Sequence, residues 1–403
     1  MKNFYRNITT LGIILCAIWV LVVKTIPISD FSYYNTLAKQ IANGGSIGDT
    51  YTSVGYAIIL AGIYKLFGYN LIYGKVFNLI LTLINYILFY KILNILNLSE
   101  KRKRLIYTIF VLFPSNIFFN SLLGTEIIFT TILLLITLIY FKDVQGKYIL
   151  IGVLCGINTI IKPFFIIFFF AIFVVELINK LKVKKVLIHS FIMLLVTLMV
   201  ISPLVYRNTK LMGQFTFVSN NGGIVLYINN NSQNKWGRWM DASKVENSLV
   251  NTKKYKNSNP TKRNHMLGDA AKKWIKAHPI SFIILGFKRL INTYFIGDDI
   301  LFTLNGVNLN KYALYGVVIL YNIIRNILFI PSVIIIVKES INILKALIKN
   351  KHIDKFKLYA LVCFYMFTSV YFITEGQSRY SFPFIFIIVY FFTNLFNEKV
   401  TSK

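Results

Sequence analysis

Two carboxylates and three cations stand where apolar runs of this chain end, and their chemistries are complementary. Asp30 follows the first run in Ile28-Ser29-Asp30-Phe31-Ser32-Tyr33-Tyr34, and Glu126 opens another in Gly124-Thr125-Glu126-Ile127. A carboxylate at a membrane boundary is costly to desolvate, which marks it as a functional candidate, and an ionised one can take the proton of a hydroxyl. Each also has a structural explanation: Asp30 as the N-cap of the next helix, Glu126 as a first-turn residue favoured by the helix dipole. Lys162 precedes Pro163 between two apolar runs, Arg207 ends another in Tyr206-Arg207-Asn208, and Arg379 sits in Glu375-Gly376-Gln377-Ser378-Arg379-Tyr380. Any one of these cations can simply extend toward headgroup phosphates. Three of them beside two carboxylates exceed that need, and the set suits an anionic, lipid-linked substrate whose phosphate lies at the interface.

The elements that must hold these residues are membrane spans. The 403 residues are 56% hydrophobic with a mean hydropathy of +0.61, well above what a soluble core requires. A hydrocarbon layer of roughly 30 Å needs about 20 apolar residues per helix. On that basis the spans predicted are Ile8 to Val23, Leu71 to Leu93, Leu105 to Leu122, Ile127 to Phe141, Tyr148 to Ile161, Phe164 to Ile178, Val186 to Tyr206, Tyr312 to Val337, Leu358 to Ile373 and Phe382 to Phe396. The two runs flanking Lys162 can form a broken or re-entrant pair. Ile8 to Val23 resembles a signal peptide, but no small-x-small site follows, so an uncleaved first span is expected. The fold class expected is therefore an all-α polytopic membrane protein with about ten transmembrane helices.

Charge sets the orientation. Lys and Arg number 44 against 15 Asp and Glu, and most lie in short loops between spans. This favours cationic loops on anionic leaflets over nucleic acid binding. Lys2 with Arg6, Lys101 to Arg104, Lys142 with Lys147, Lys180 to Lys185, Lys338 to Lys357, and Lys399 with Lys403 all fall on one side when the spans alternate. That side is cytoplasmic by the positive-inside rule, and long translocated segments largely escape the rule. The chain then divides into an N-terminal transmembrane part (1–206), an extracytoplasmic loop region (207–311) and C-terminal transmembrane helices (312–403). Phe31 to Asn43, Val54 to Phe67 and Pro279 to Phe295 mix aromatic and polar residues, and helices lying at the outer interface are expected there. Asp30, Glu126, Lys162, Arg207, Arg379 and Tyr380 all come to that outer face.

Absences narrow the chemistry. There is no GxxxxGK[ST] loop, no HExxH and no Asp-x-Asp pair, and the four histidines are scattered, which disfavours ATP-driven transport and zinc hydrolysis. No metal or cofactor is expected. Cys16, Cys155 and Cys363 lie alone in apolar runs without paired spacing, and read as packing residues. Abundant Ile, Lys and Asn suit an AT-rich genome and a bacterial plasma membrane.

Taken in order, several of these motifs resemble the bacterial branch of the GT-C membrane glycosyltransferases, the family 39-like enzymes related to protein O-mannosyltransferases and to the aminoarabinose transferase of lipid A. The resemblance rests on Ser29-Asp30 with Tyr33-Tyr34, Gly55-Tyr56 followed by Leu66-Phe67-Gly68, Thr125-Glu126, Lys162-Pro163, Tyr206-Arg207-Asn208 with Gly213, and Arg379-Tyr380 with Pro383. It implies a polyprenyl-phosphate sugar as donor and a glycan, lipid or protein hydroxyl of the cell envelope as acceptor, joined with inversion on the outer face. It further implies that Asp30 is the base of the first loop, that Glu126 occupies a second acidic position, usually Asp, and that the cations with Tyr380 meet the donor phosphate. Two departures weigh against protein mannosylation: Phe31 follows Asp30 where those enzymes have an Asp-Glu pair, and Ser53-Val54-Gly55 stands where many relatives carry paired prolines.

Other classes share the span count. A flippase or secondary transporter should show paired repeats and polar residues within broken helices, whereas these charges gather at one face. A lipid-linked polysaccharide polymerase also has many spans and an outside loop, and a GT-C fold that only binds polyprenyl lipid stays open as well.

Overall fold

The computed structural model describes residues 2–396; Lys399 and Lys403 of the expected cytoplasmic tail lie outside them. The described residues are all-helical, without a strand. The first half contains α1 (Asn3–Val22), α2 (Ser29–Ala42), α3 (Gly55–Phe67), α4 (Leu71–Ile95), α5 (Glu100–Leu112), α6 (Pro114–Phe118), α7 (Glu126–Phe141), α8 (Lys147–Ile161), α9 (Phe168–Ile178) and α10 (Val183–Met212). Between the apolar parts lie α11 (Gly222–Asn229), α12 (Lys253–Lys256), α13 (Pro260–Ala277), α14 (Pro279–Tyr294) and α15 (Ile300–Thr303). The chain continues through α16 (Lys311–Ile348), α17 (Lys355–Ile373) and α18 (Ile385–Phe392). Side-chain caps start several of them: Asn70, Ser99, Asn310 and Asp354 each accept a backbone N–H of the turn that follows.

Among the described residues, six helices are long and apolar enough to cross a membrane: α1, α4, α10, α16, α17 and the segment Ser378–Phe396 that contains α18. The protein is thus a multi-pass membrane protein. Gly55–Phe67, Glu126–Phe141, Lys147–Ile161 and Pro163–Ile178 are apolar but shorter; at 1.5 Å per residue the 16 residues of α7 rise only about 24 Å. The expected span Leu105 to Leu122 is not one helix. α5 ends at Leu112, Phe113 is extended at φ −65° and ψ 128°, and Pro114 starts a separate turn, because the residue before a proline is pushed out of the helical region. Pro163 does the same after Lys162, which is extended at ψ 103°. Tyr148 at the start of α8 donates to Glu176 near the end of α9 at 2.5 Å, so α8 and α9 form a hairpin with Lys162 at its bend.

Two glycines one turn apart let α8 lie close on α10. A Cβ on Gly152 would stand 2.8 Å from the Val196 side chain, and one on Gly156 2.5 Å from that of Val200. This is the small-xxx-small pattern by which helices approach without help from water. Outward, α10 and α16 leave Phe191, Met199, Ile319, Ile327 and Ile334 each more than half exposed, an apolar surface suited to lipid rather than water.

α10 continues past Tyr206 to Met212 before the hydrophilic region begins. Within that region Tyr227, Ile228, Ala242, Val245, Leu267 and Ala271 form a small core of their own. The asparagine-rich turn is knit by its side chains. Asn231 accepts the N–H groups of Gln233 and Asn234 and donates to the carbonyls of Tyr227 and Ile228. Arg289 of α14, fully buried, donates to the carbonyls of Asn229 and Phe372, tying this turn to the end of α17.

Candidate functional site

The local structure around Asp30 explains why its carboxylate is not spent on capping a helix. Ile28 is the N-cap of α2 and makes no side-chain capping bond, while Ser29 turns the chain at φ +51°, a conformation that non-glycine residues adopt sparingly. Asp30 does not cap the helix. Its Oδ2 accepts a hydrogen bond from Nη2 of Arg379 at 2.6 Å. The Asp30 side chain remains 47% exposed while that of Arg379 is 9% exposed.

Arg379 is held from three directions. Its guanidinium carbon lies 5.3 Å from the ring centre of Phe31 and 5.6 Å from those of Phe302 and Tyr380, within cation–π range. Nε donates to Oε1 of Gln377 at 2.7 Å. Gln377 in turn donates to one oxygen of Glu375 at 2.8 Å, and the Tyr380 hydroxyl donates to the other at 2.9 Å. Nη1 makes no hydrogen bond among the described residues and stays available. Gly376 permits close approach: a Cβ there would collide with the backbone of Arg289.

Lys162 and Glu126 form the second pair, with Nζ 3.6 Å from Oε1 and side-chain exposures of 18% and 2%. Glu126 Oε2 is buried without a hydrogen-bond partner among the described residues. The Lys162 ammonium also lies 5.4 Å from the Tyr380 ring. Asp30, Glu126, Lys162, Glu375, Arg379 and Tyr380 line one cavity of about 510 Å³. A second cavity of about 620 Å³ adjoins it, and Asp30, Tyr34, Glu375, Arg379 and Tyr380 line both. Five of the six residues singled out in the sequence thus meet around one space. Arg207 does not join them. It donates to Oδ1 of Asn208 at 2.9 Å and to the carbonyl of Gly48.

The second cavity brings in residues that sequence reasoning passed over: Arg238, Asp298 and Gln377. Burial pushes the Asp298 carboxyl up, but hydrogen bonds from Arg238 and Ser378 outweigh it and leave the group below the usual range. Its neighbour Asp299 is pushed up to about 6 by burial, which the nearby Arg325 only partly offsets. A signal was available. Glu375 and the Asp298-Asp299 pair stand beside apolar runs as Asp30 and Glu126 do, and Arg325 lies inside one.

Chemically, the junction offers an exposed carboxylate that can take a proton, two cations that can stabilise negative charge, and two spaces that open on the same carboxylate. No group of three or more His, Cys, Asp or Glu side chains converges to hold a metal ion among the described residues. Comparison with known proteins leaves the chain without a family: no protein-family model, no curated protein and no solved structure matches it.

Proposed function

We propose that this protein is an inverting glycosyltransferase that moves a sugar from a polyprenyl-phosphate donor to an acceptor hydroxyl at the outer face of a bacterial plasma membrane. The observation that carries this reading is that Asp30 and Arg379 line both cavities. A transfer reaction needs two substrates to meet at one base. In the topology we propose, the shorter apolar helices complete about ten crossings with tilted or partly re-entrant segments.

In the reaction, the acceptor hydroxyl gives its proton to the Asp30 carboxylate as its oxygen bonds to the anomeric carbon. The bond from that carbon to the phosphate oxygen breaks, and the electron pair leaves with the polyprenyl phosphate. That leaving group needs no acid, whereas the acceptor needs a base on the opposite face. Lys162 in the first cavity and Nη1 of Arg379 balance the charge that grows on the phosphate. Because Arg379 holds Asp30, a phosphate that competes for the guanidinium also frees the carboxylate. Arg207, turned toward Gly48, has no part in this step.

The test is release of polyprenyl phosphate from a labelled polyprenyl-phosphate hexose by the purified full chain in lipid nanodiscs. Release that rises with added acceptor is expected. A donor that stays intact, or that only crosses the bilayer of proteoliposomes, removes the reading and leaves a binding protein or flippase.

A further inference from the structure

Resting on that reading, we propose that the second cavity is the acceptor site and that it takes the sugar ring of a glycan or glycolipid, neutral or amino-bearing, in preference to a protein side chain. Two exposed aromatic side chains are among its lining: Trp239, 68% exposed, and Tyr51, 44% exposed. An exposed aromatic face in a cavity that also carries charged groups suits a sugar, because the C–H face of a pyranose covers an indole well. Indole and phenol combine an apolar face with a polar tip, as such a ligand requires.

The same cavity presents planar, paired hydrogen-bonding groups. Arg238 is bound to Asp298 Oδ2, its Nε donates to Oδ1 of Asn292 at 3.0 Å, and Ser378 donates to Asp298 Oδ1 at 2.7 Å. The Arg238 and Asp298 side chains are 34% and 29% exposed, which leaves the pair within reach of a ligand. A guanidinium and a carboxylate side by side match the donor and acceptor of vicinal hydroxyls. The cavity volume of about 620 Å³ falls in the range of small-molecule sites, about 300 to 1,000 Å³.

Charge and fold select among acceptors. The carboxylates of Asp30, Asp298 and Glu375 outnumber the guanidiniums of Arg238 and Arg379 in the lining, which disfavours a uronic or phosphorylated sugar. An extended peptide can pair by adding to a strand edge, and the described residues offer no strand for that mode.

The experiment is saturation-transfer NMR on the purified full chain in nanodiscs without donor, with methyl glycosides of glucose, galactose, mannose, N-acetylglucosamine and glucosamine, methyl glucuronide, and a Ser/Thr-containing peptide as probes. Saturable binding of at least one neutral or amino glycoside is expected, weakened about tenfold or more by Trp239→Ala and largely restored by Trp239→Phe. Trp239 is mostly solvent-exposed, so both variants should fold, and thermal melting checks that they do. Binding of the peptide or of methyl glucuronide alone, or glycoside binding that Trp239→Ala leaves unchanged, overturns the proposal. Because no donor is present, glycoside binding without polyprenyl phosphate release in the separate donor assay sinks the transferase reading alone; donor use with acceptance only by the peptide sinks the acceptor site alone.

Discussion

Two arginine–aspartate pairs, Arg379 with Asp30 and Arg325 with Asp299, behave differently. Arg379 and Asp30 meet at 2.6 Å with Asp30 half-exposed between two cavities. Arg325 and Asp299 stand 3.8 Å apart with exposures of 1% and 2%. Arg325 donates to the carbonyl of Thr293 and to Ser381 Oγ at 2.6 and 2.8 Å, and its guanidinium carbon lies 4.3 Å from the Phe329 ring. It joins α14 and α16 to the segment that carries Arg379. The difference is access: a closed ion pair can only brace, because nothing can compete for its partners, whereas an open one can exchange its partner for a substrate.

That contrast breaks if the open pair is also only a brace, and Asp30→Asn is the sharpest test. The amide keeps the shape but cannot take a proton, so transfer should fall by about 10²- to 10⁴-fold or more while the melting temperature stays near that of the wild type. Turnover at the wild-type rate removes Asp30 as the base. The closed pair predicts the reverse. Arg325→Met strands a buried carboxylate and should cost about 3 to 5 kcal/mol of stability, read as a large drop in melting temperature. An unchanged melt would mean that the pair braces nothing.

The next effect separates charge from geometry within the open pair. Arg379→Lys keeps the positive charge but loses the planar fork that reaches both Asp30 and a phosphate. Donor-dependent rate at sub-saturating donor should fall by roughly ten- to a hundredfold, the equivalent of about 1.5 to 3 kcal/mol. Equal rates for wild type, Arg379→Lys and Arg379→Ala would pass the phosphate role to Lys162.

The smallest effect sharpens the closed pair. Asp299 titrates near 6 in the folded protein, above the ordinary carboxylate value, so the folded state holds its proton more tightly than the unfolded state does. The stability this contributes is complete below about pH 4 and is lost as pH rises through about 6. Wild type should therefore lose stability relative to Asp299→Asn between those pH values in thermal melts. A difference that stays flat, or that grows with pH, contradicts the buried assignment.

Much of this was legible beforehand because it follows from composition and local chemistry. Apolar runs make helices that belong in lipid, the proline at 163 separates two of them, and a run such as Ile127 to Phe141 is visibly short, whereas the break at Pro114 inside the expected span Leu105 to Leu122 was missed. Asp30, Glu126, Lys162 and Arg379 stood out because a charge beside an apolar run needs a reason, and Tyr380 as the neighbour of Arg379. What remained hidden depends on groups far apart in the chain. Asp30 and Arg379 are separated by 349 positions, and no local pattern encodes their meeting or predicts that Arg207 turns to Gly48 instead. Likewise, adjacent Asp298 and Asp299 are identical in sequence terms and are pushed in opposite directions. Only the tertiary structure decides which of them sits against Arg238 at a cavity wall and which is sealed beside Arg325, because desolvation and partner geometry exist only once the helices have packed.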